Sequence, residues 1–193
     1  MIKVIIFDLD GTLVNLNLDF EKLLSKIQAL LQTHEELSPF LEAIIKHTEN
    51  NLSLRKKAYE IIDEMEQKSI NNLQIFPETV QVLNDLKSRG DTLALVTLQG
   101  RKAVDLILQK YSLTNIFNSI ITRENSHLRS EQIDRIITLL KIPKPQVLMV
   151  GDRLNDVKAS KKVGINWILV RRQYTPLEGS IVIKSLSEIF QYL

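Results

Sequence analysis

The sequence contains no cysteine among its 193 residues. This absence excludes disulfides, thiolate metal ligands and cysteine nucleophiles, so a bound metal ion would need oxygen or histidine nitrogen ligands. Hard cations such as Mg²⁺ suit oxygen ligands best. An excess of one charge is also lacking, because 25 lysines and arginines stand against 23 aspartates and glutamates, and the basic residues are dispersed. Nothing in this distribution indicates nucleic acid as a partner.

A long hydrophobic run is absent as well. No stretch of about 18 apolar residues occurs, and the apolar run that ends at Phe7 is too short for the core of a signal peptide. We therefore expect a soluble cytoplasmic protein that does not associate with membranes. Its length and its 44% hydrophobic content allow one main domain with a small appended unit, as a monomer or a homodimer.

Short apolar runs predict strands that are buried on both faces, at residues 4–7, 92–96, 119–122, 147–150 and 167–170. Segments with helical periodicity separate most of these runs, at residues 77–90, 101–111, 130–140 and 156–163. A last strand and a last helix are predicted over residues 181–193, with the helix at 185–192. This alternation predicts an α/β fold with a doubly wound, Rossmann-like parallel sheet.

Residues 16–73 break the alternation. They contain no glycine and one proline, Pro39, and their apolar residues recur at helical rather than strand spacing. Two apolar stripes are visible, one made of Phe20, Leu23, Leu24, Ile27 and Leu31, the other of Ala58, Ile61, Ile62 and Met65. We therefore predict a small all-helical domain over residues 16–73, inserted after the first strand of an α/β core domain made of residues 1–15 and 74–193.

Two carboxylates follow the first predicted strand directly, in the string Asp8-Leu9-Asp10-Gly11-Thr12. In an extended backbone, residues two apart point to the same side, so both carboxylates can act on one group. Neighbouring carboxylates repel each other, and their pKa values separate, so that one is ionised for attack and the other serves as an acid. A capped turn would explain the glycine but not two carboxylates beside an apolar strand. Ligands of open α/β sheets bind at this end of the strands.

The string resembles the first motif of the haloacid dehalogenase-like superfamily, Asp-x-Asp-Gly-Thr after the first strand. Thr97 ends the second predicted core strand, where the family has a phosphate-binding threonine or serine. Residues 151–156, Gly-Asp-Arg-Leu-Asn-Asp, are similar to the family's Gly-Asp-x-x-x-Asp motif. The helical insertion is placed like the cap domain of many family phosphatases, and the resemblance covers essentially the whole chain.

The resemblance implies a magnesium-dependent phosphatase that acts on a small phosphate monoester, like the phosphoglycolate phosphatase-like members with a helical cap. Asp8 would attack phosphorus to form an aspartyl-phosphate, and Asp10 would protonate the leaving oxygen and then activate water. Mg²⁺ would be bound by the carboxylates of Asp8 and Asp152, by the backbone carbonyl of Asp10 and by waters. Thr97 and the backbone N–H of Leu98 would bind the phosphoryl oxygens.

One family feature is missing, since members normally carry a lysine shortly before the helix that leads to the fourth strand, and residues 122–131 contain none. Arg129 is the best substitute by spacing, with His127 and Arg123 as alternatives, because a guanidinium also neutralises phosphate. Asp156 is implied either to bind the metal through water or to orient this basic residue. The motif residues Gly11 and Thr12 would support the site.

Three other functions remain open at this stage. The missing lysine is compatible with a non-catalytic, regulatory protein that has kept the phosphate site. A sugar phosphomutase would use the same aspartyl-phosphate chemistry. A haloacid dehalogenase is the third, but Asp10 argues against it, because that reaction at carbon needs neither an acid at this position nor magnesium.

Overall fold

The computed structural model describes residues 1–173 and 176–193. The chain divides into two compact units, one made of residues 1–15 and 74–193 and the other of residues 16–73. The first unit contains the large sheet, and the second is helical. The role of residues 16–73 as a cap domain stays a prediction.

The strands and helices follow one another along the chain as β1 (Val4–Phe7), β2 (Val14–Asn15), α1 (Phe20–Leu31), α2 (Phe40–His47), α3 (Leu52–Ser69), β3 (Gln74–Ile75), α4 (Thr79–Ser88), β4 (Thr92–Val96), α5 (Arg101–Lys110), β5 (Ser119–Ile121), α6 (Arg129–Leu140), β6 (Val147–Gly151), α7 (Leu154–Val163), β7 (Asn166–Val170) and β8 (Ile181–Ile183). Short 3-10 helices lie at Ile70–Asn72, Lys144–Gln146 and Leu186–Tyr192.

Six strands form one sheet in the order β5-β4-β1-β6-β7-β8, and every neighbouring pair is parallel. The predicted doubly wound parallel α/β fold is confirmed. Strand β1 lies where the strand order reverses, with β4 on one side and β6 on the other. Phe7 pairs with Leu95 and with Val150, so the residues that follow these three strands emerge side by side. Such a switch point is where open α/β sheets bind their ligands.

The sheet is buried on both faces. One face packs against α6 and α7 in a cluster of twelve buried residues: Val4, Ile6, Ala94, Val96, Ile121, Ile133, Ile136, Val147, Met149, Ala159, Val163 and Ile165. Ile5 and Phe7, which alternate with these along β1, are also fully buried. Burial on two sides explains why the strand sequences are uniformly apolar. For the same reason, each strand ends where the polar residues begin.

The helical unit matches the predicted pattern in most positions. Helix α1 begins where the Asp19 side chain accepts a hydrogen bond from the Lys22 N–H, and α3 begins at a similar cap formed by Asn51. Most of the two predicted stripes are buried or half-buried. Phe20 differs, because it is half-exposed and its ring packs edge-on against Phe40 with centroids 5.1 Å apart. Among the described residues, no helix is both long and apolar enough to cross a membrane.

Two local predictions were wrong in detail, and two short strands were missed. The last helix is a 3-10 helix over Leu186–Tyr192, the tighter form that short helical segments often adopt. Helix α7 begins at Leu154, two residues before the predicted start at Asp156. The two-residue strands β2 and β3, which pair antiparallel, were not predicted because so short a pair has no periodicity to detect.

Candidate active site

Three carboxylates converge at the switch point of the sheet. Asp8 follows β1, and its backbone N–H donates to the Val150 carbonyl of β6 at 2.9 Å. Asp152 follows β6, and Asp156 lies in the first turn of α7. One carboxylate oxygen from each of the three lies within 4.8 Å of the others. Asp8 and Asp156 are buried and Asp152 is half-buried, so the cluster lies mostly inside the protein and is not a surface patch.

Two glycines leave the space that these carboxylates occupy. A β-carbon on Gly11 would lie 2.2 Å from Asp152 Oδ2, and one on Gly151 would lie 2.3 Å from Asp156 Oδ2. Gly11 also has a φ of +88°, a conformation that L-residues rarely adopt. The Thr12 hydroxyl donates to Asp152 Oδ1 at 3.4 Å. Gly11 and Thr12 therefore both lie against Asp152 of the second acidic motif.

The structure brings one of the three candidate basic residues to the carboxylates. The buried Arg129 guanidinium forms an ion pair with Asp8 through Nη2, and its Nε lies 3.0 Å from Asp156 Oδ1. Arg123 is also buried, but its Nη1 donates to the Leu98 carbonyl at 2.9 Å. His127 is half-buried in the segment before α6. Asp156 thus contacts Arg129 and also belongs to the acidic cluster, so both roles implied for it stay open.

Thr97 and Leu98 follow β4, beside β1. The Thr97 N–H donates to the Ile121 carbonyl at 3.0 Å, and its hydroxyl donates to the Gln99 side-chain oxygen. Since Leu95 pairs with Phe7, Thr97 lies at the same edge of the sheet as Asp8. The residues predicted to bind phosphate therefore share this edge with the carboxylates.

Asp10 lies in the turn after β1, where it forms an isolated bridge with Val14. Its Oδ2 is 3.5 Å from Arg153 Nη2, and Arg153 Nε is 3.9 Å from Asp152 Oδ2. Arg153 is largely exposed, whereas Arg129 is enclosed. The two predicted catalytic carboxylates, Asp8 and Asp10, are thus paired with different arginines.

Burial and mutual repulsion disfavour the ionised forms of the clustered carboxyl groups. Burial raises the pKa of Asp8 to about 7, a shift that the Arg129 guanidinium opposes. Burial likewise raises the pKa of Asp152 to about 6, with Arg153 opposing it. The neighbouring carboxylates add to both shifts. Arg129 and Arg153 only oppose these shifts, and a hard divalent cation fits this oxygen donor set.

The profile of the haloacid dehalogenase-like hydrolases matches residues 5–170 of the chain. The chain belongs to this family. A curated relative, the pyrophosphatase PpaX of Bacillus cereus, is 28% identical over 198 residues, which cover 90% of this chain and 87% of the relative. The haloacid dehalogenase-like family protein SP0104 of Streptococcus pneumoniae has a TM-score of 0.72 at 18% identity and covers 99% of this chain and 98% of its own. CbbY of Rhodobacter sphaeroides has a TM-score of 0.74 at 16% identity and covers 98% and 96%.

Gln132 is a polar residue of this haloacid dehalogenase-like hydrolase that sequence reasoning missed. It is fully buried, and its amide donates to the carbonyls of Thr97 at 2.7 Å and of Ser126 at 2.9 Å. These two bonds turn its oxygen toward Arg129, whose Nη1 donates to it at 2.9 Å. Gln132 therefore fixes the orientation of the guanidinium and joins it to the end of β4. Its spacing of three residues from Arg129, beside the buried Ile133, is the signal that could have identified it.

Arg172 is a second missed residue, and it supports the loop after β1. Its guanidinium donates to the carbonyls of Gly11 at 2.8 Å and of Thr12 at 3.0 Å, and it pairs with Glu78 at 3.1 Å. The same group lies over the Phe76 ring, 3.2 Å from the centroid. Arg172 and Gly11 are 161 residues apart, so no local pattern could connect them before the order of the strands was known.

A Mg²⁺ ion held by these carboxylates would compete with protons for them, so we expect any stabilisation by Mg²⁺ to depend on pH. Because the pKa values of Asp8 and Asp152 rise from an ordinary 3.8 to about 7 and about 6, the stability that these groups contribute is fully present below pH 3.8 and is lost as pH rises through 6 and 7. Mg²⁺ should offset this loss, raising the melting temperature by about 5–10 °C near pH 8 and by much less near pH 5.

Calorimetric melts with and without MgCl₂ at the two pH values would measure this difference. Asp152→Asn serves as the control, because it keeps the side-chain volume and removes one ionised group of the cluster, so it should reduce the gain near pH 8. An equal shift at both pH values would show that Mg²⁺ acts elsewhere on the protein.

Proposed function

We propose that this hydrolase cleaves a small phosphate ester through an aspartyl-phosphate intermediate, with Asp8 as the nucleophile. The observation that carries the proposal is the buried pairing of Asp8 with Arg129 inside a cluster of carboxylates, at the switch point of the sheet. A carboxylate nucleophile can attack an anionic phosphoryl group only where positive charge is concentrated beside it. This arrangement supplies that charge from the chain itself and adds oxygen ligands for a cation.

The reaction would proceed in two displacements at phosphorus. An Asp8 carboxylate oxygen forms a bond to phosphorus while the bond from phosphorus to the leaving oxygen breaks, and Asp10 gives its proton to that oxygen. Water then attacks the aspartyl-phosphate, Asp10 takes a proton from the water, and the bond from Asp8 to phosphorus breaks. Inorganic phosphate leaves, and both carboxyl groups return to their starting forms.

Mg²⁺ is the proposed cofactor, and it fits the donors present here. Asp8, Asp152 and the backbone carbonyl of Asp10 would hold it, with Asp156 close enough to contribute through water. When bound, the ion would neutralise charge on the phosphoryl oxygens. The raised pKa values of Asp8 and Asp152 support this assignment, because a cation would relieve the repulsion that contributes to them.

Phosphate binding would be shared among three groups at the same edge of the sheet. Arg129 would neutralise the phosphoryl oxygens from the buried side, while the Thr97 hydroxyl and the Leu98 backbone N–H would donate to them. Gln132 would hold Arg129 in place during both steps. In this proposal Arg129 takes the place of the lysine that family members normally carry.

Inorganic pyrophosphate is a second candidate substrate. Curated relatives that are 25–28% identical to this chain carry the name pyrophosphatase PpaX. The same two displacements would cleave pyrophosphate, with phosphate as the leaving group. We further propose that residues 1–15 and 74–193 form the catalytic core domain, and that residues 16–73 form a cap domain that selects the leaving group.

Hydrolysis of para-nitrophenyl phosphate tests the proposed function. We expect turnover in the presence of MgCl₂, a loss of at least about 100-fold with a chelator, and recovery when excess MgCl₂ is added. Release of chloride from 2-chloropropionate, measured in parallel, tests the dehalogenase alternative and should be absent. A folded protein that binds phosphate but hydrolyses neither this ester nor pyrophosphate would favour the non-catalytic alternative.

A further inference from the structure

The two arginines of the site differ in depth and in partner. Arg129 is 7% exposed and is paired with Asp8, the proposed nucleophile. Arg153 is 67% exposed, and its guanidinium lies 3.5 Å from Asp10 and 3.9 Å from Asp152. One arginine is therefore enclosed beside the attacking group, and the other lies at the open side beside the proposed acid.

We propose that Arg153 determines specificity by binding an ionised group on the leaving portion of the substrate. The preferred substrates would then be phosphoanhydrides such as pyrophosphate, or esters whose leaving group carries an anion close to the bridging oxygen. The inference rests on the proposed function, because the role of Asp10 as the acid locates the leaving oxygen. It adds a residue and a substrate class to that function.

Geometry places Arg153 next to the leaving group. A general acid must come within hydrogen-bonding distance of the oxygen that it protonates. The leaving oxygen would therefore lie close to Asp10. Because Arg153 Nη2 is 3.5 Å from Asp10 Oδ2, the guanidinium would also lie beside the leaving oxygen, within reach of an anion bonded to that oxygen. Arg129 is unsuited to this task, because Asp8, Asp156 and Gln132 already hold its guanidinium on the buried side.

The attachment of Arg153 allows its side chain to move while its backbone stays fixed. Its N–H donates to Asp156 Oδ2 at 3.2 Å, directly before α7. The two side-chain ion pairs, in contrast, are longer than the 2.7–3.2 Å usual for a hydrogen bond to nitrogen. Weak pairs at a largely exposed position cost little to exchange for a substrate anion. A guanidinium can also bind phosphate through two parallel hydrogen bonds.

The test compares kcat/KM for inorganic pyrophosphate and for para-nitrophenyl phosphate, whose leaving group carries no phosphate or carboxylate. Arg153→Gln should lower kcat/KM for pyrophosphate by about 10- to 100-fold, mainly through KM, and should lower the ratio of the two values by at least about 10-fold. Arg153→Lys should keep part of this ratio, since it keeps the charge but loses the planar fork. Lys158→Gln is the matched control, because it removes one exposed positive charge from α7, the helix that Arg153 precedes, and should leave the ratio unchanged.

A binding measurement separates this inference from the proposed function. In an Asp8→Asn background, calorimetry with MgCl₂ should show pyrophosphate binding more tightly than methyl phosphate, and Arg153→Gln should remove most of that difference. If Arg153→Gln lowered kcat/KM by the same factor for both substrates, the proposed role of Arg153 would be wrong. It would also be wrong if pyrophosphate and methyl phosphate bound equally tightly in the Asp8→Asn background. If turnover did not depend on Asp8 but the binding difference persisted, the proposed function would be wrong, and Arg153 would keep only its role in binding the second anion.

Discussion

Asp8→Asn should abolish hydrolysis of para-nitrophenyl phosphate, with kcat reduced by more than about 10,000-fold. The amide has nearly the shape of the carboxylate but is a poor nucleophile, so the aspartyl-phosphate cannot form. We expect the fold to survive, because asparagine keeps the shape of the side chain and Asp156 and Gln132 still contact the Arg129 guanidinium. Steady-state kinetics and a thermal melt of the same sample measure both expectations.

Asp91→Asn is the matched control for this change. Asp91 is also largely buried and also paired with an arginine, its Oδ2 lying 3.2 Å from Arg89 Nε. It precedes β4, however, so it lies at the opposite end of the strands from Asp8. The same chemical change there should leave kcat within about twofold of the wild type. If Asp8→Asn kept a tenth of the wild-type turnover, Asp8 would not be the nucleophile.

Arg129→Met should lower kcat/KM by about 100- to 1,000-fold, the range seen when one donor to a developing charge is removed. Methionine fills most of the volume of the arginine, so the variant removes charge and hydrogen bonds without leaving a large cavity. The inhibition constant of inorganic phosphate should rise in parallel, because the same guanidinium would bind the product. If kcat/KM of Arg129→Met stayed within about twofold of the wild type, Arg129 would have only a structural role.

Two further variants make the assignment to Arg129 specific. Arg129→Lys should lie between the wild type and Arg129→Met, because one ammonium cannot contact Asp8, Asp156 and Gln132 together. Arg123→Met removes the other buried arginine of this segment, which is bonded to the Leu98 carbonyl, and should have the smaller effect on phosphate inhibition. A larger effect of Arg123→Met would mean that Arg123 is the substitute for the missing lysine.

The coupling between Arg129 and Gln132 can be measured with a double-mutant cycle. If Gln132 acts by orienting the guanidinium, Gln132→Leu should lower kcat in the wild-type background and have almost no further effect when Arg129 is already methionine. Equal effects in both backgrounds would mean that Gln132 supports the carbonyls of Thr97 and Ser126 and nothing more.

Much of the fold followed from the sequence because the relevant signals are local. Apolar runs and helical periodicity predicted the strands and helices of the sheet, and parallel pairing then required the residues after β1, β4 and β6 to meet at one edge. Asp8 and Asp152 could be placed together on that basis. Asp156 followed as well, since it lies in the first turn of the next helix.

The parts that could not be predicted depend on side-chain direction or on distant contacts. Spacing favoured Arg129 over His127 and Arg123, but its contact with Asp8 could be assigned only once the start of α6 was known. Gln132 looked like any polar residue on a helix, and Arg172 reaches the loop after β1 from the end of β7. The half-exposed Phe20 shows that an apolar stripe gives the direction of a core but not the depth of each residue in it.

The two glycines beside the acidic cluster also indicate how a related chain could lose activity while keeping its functional residues. At most positions, the space next to an α-carbon is filled by that residue's own methyl or methylene group; at Gly11 and Gly151 it is filled by the carboxylate of another residue. A chain with alanine at either position would keep every nucleophile, acid and ligand named above and still displace one of them. Such a protein would be inactive although all of its functional residues were present, so those residues alone would not reveal the loss of activity.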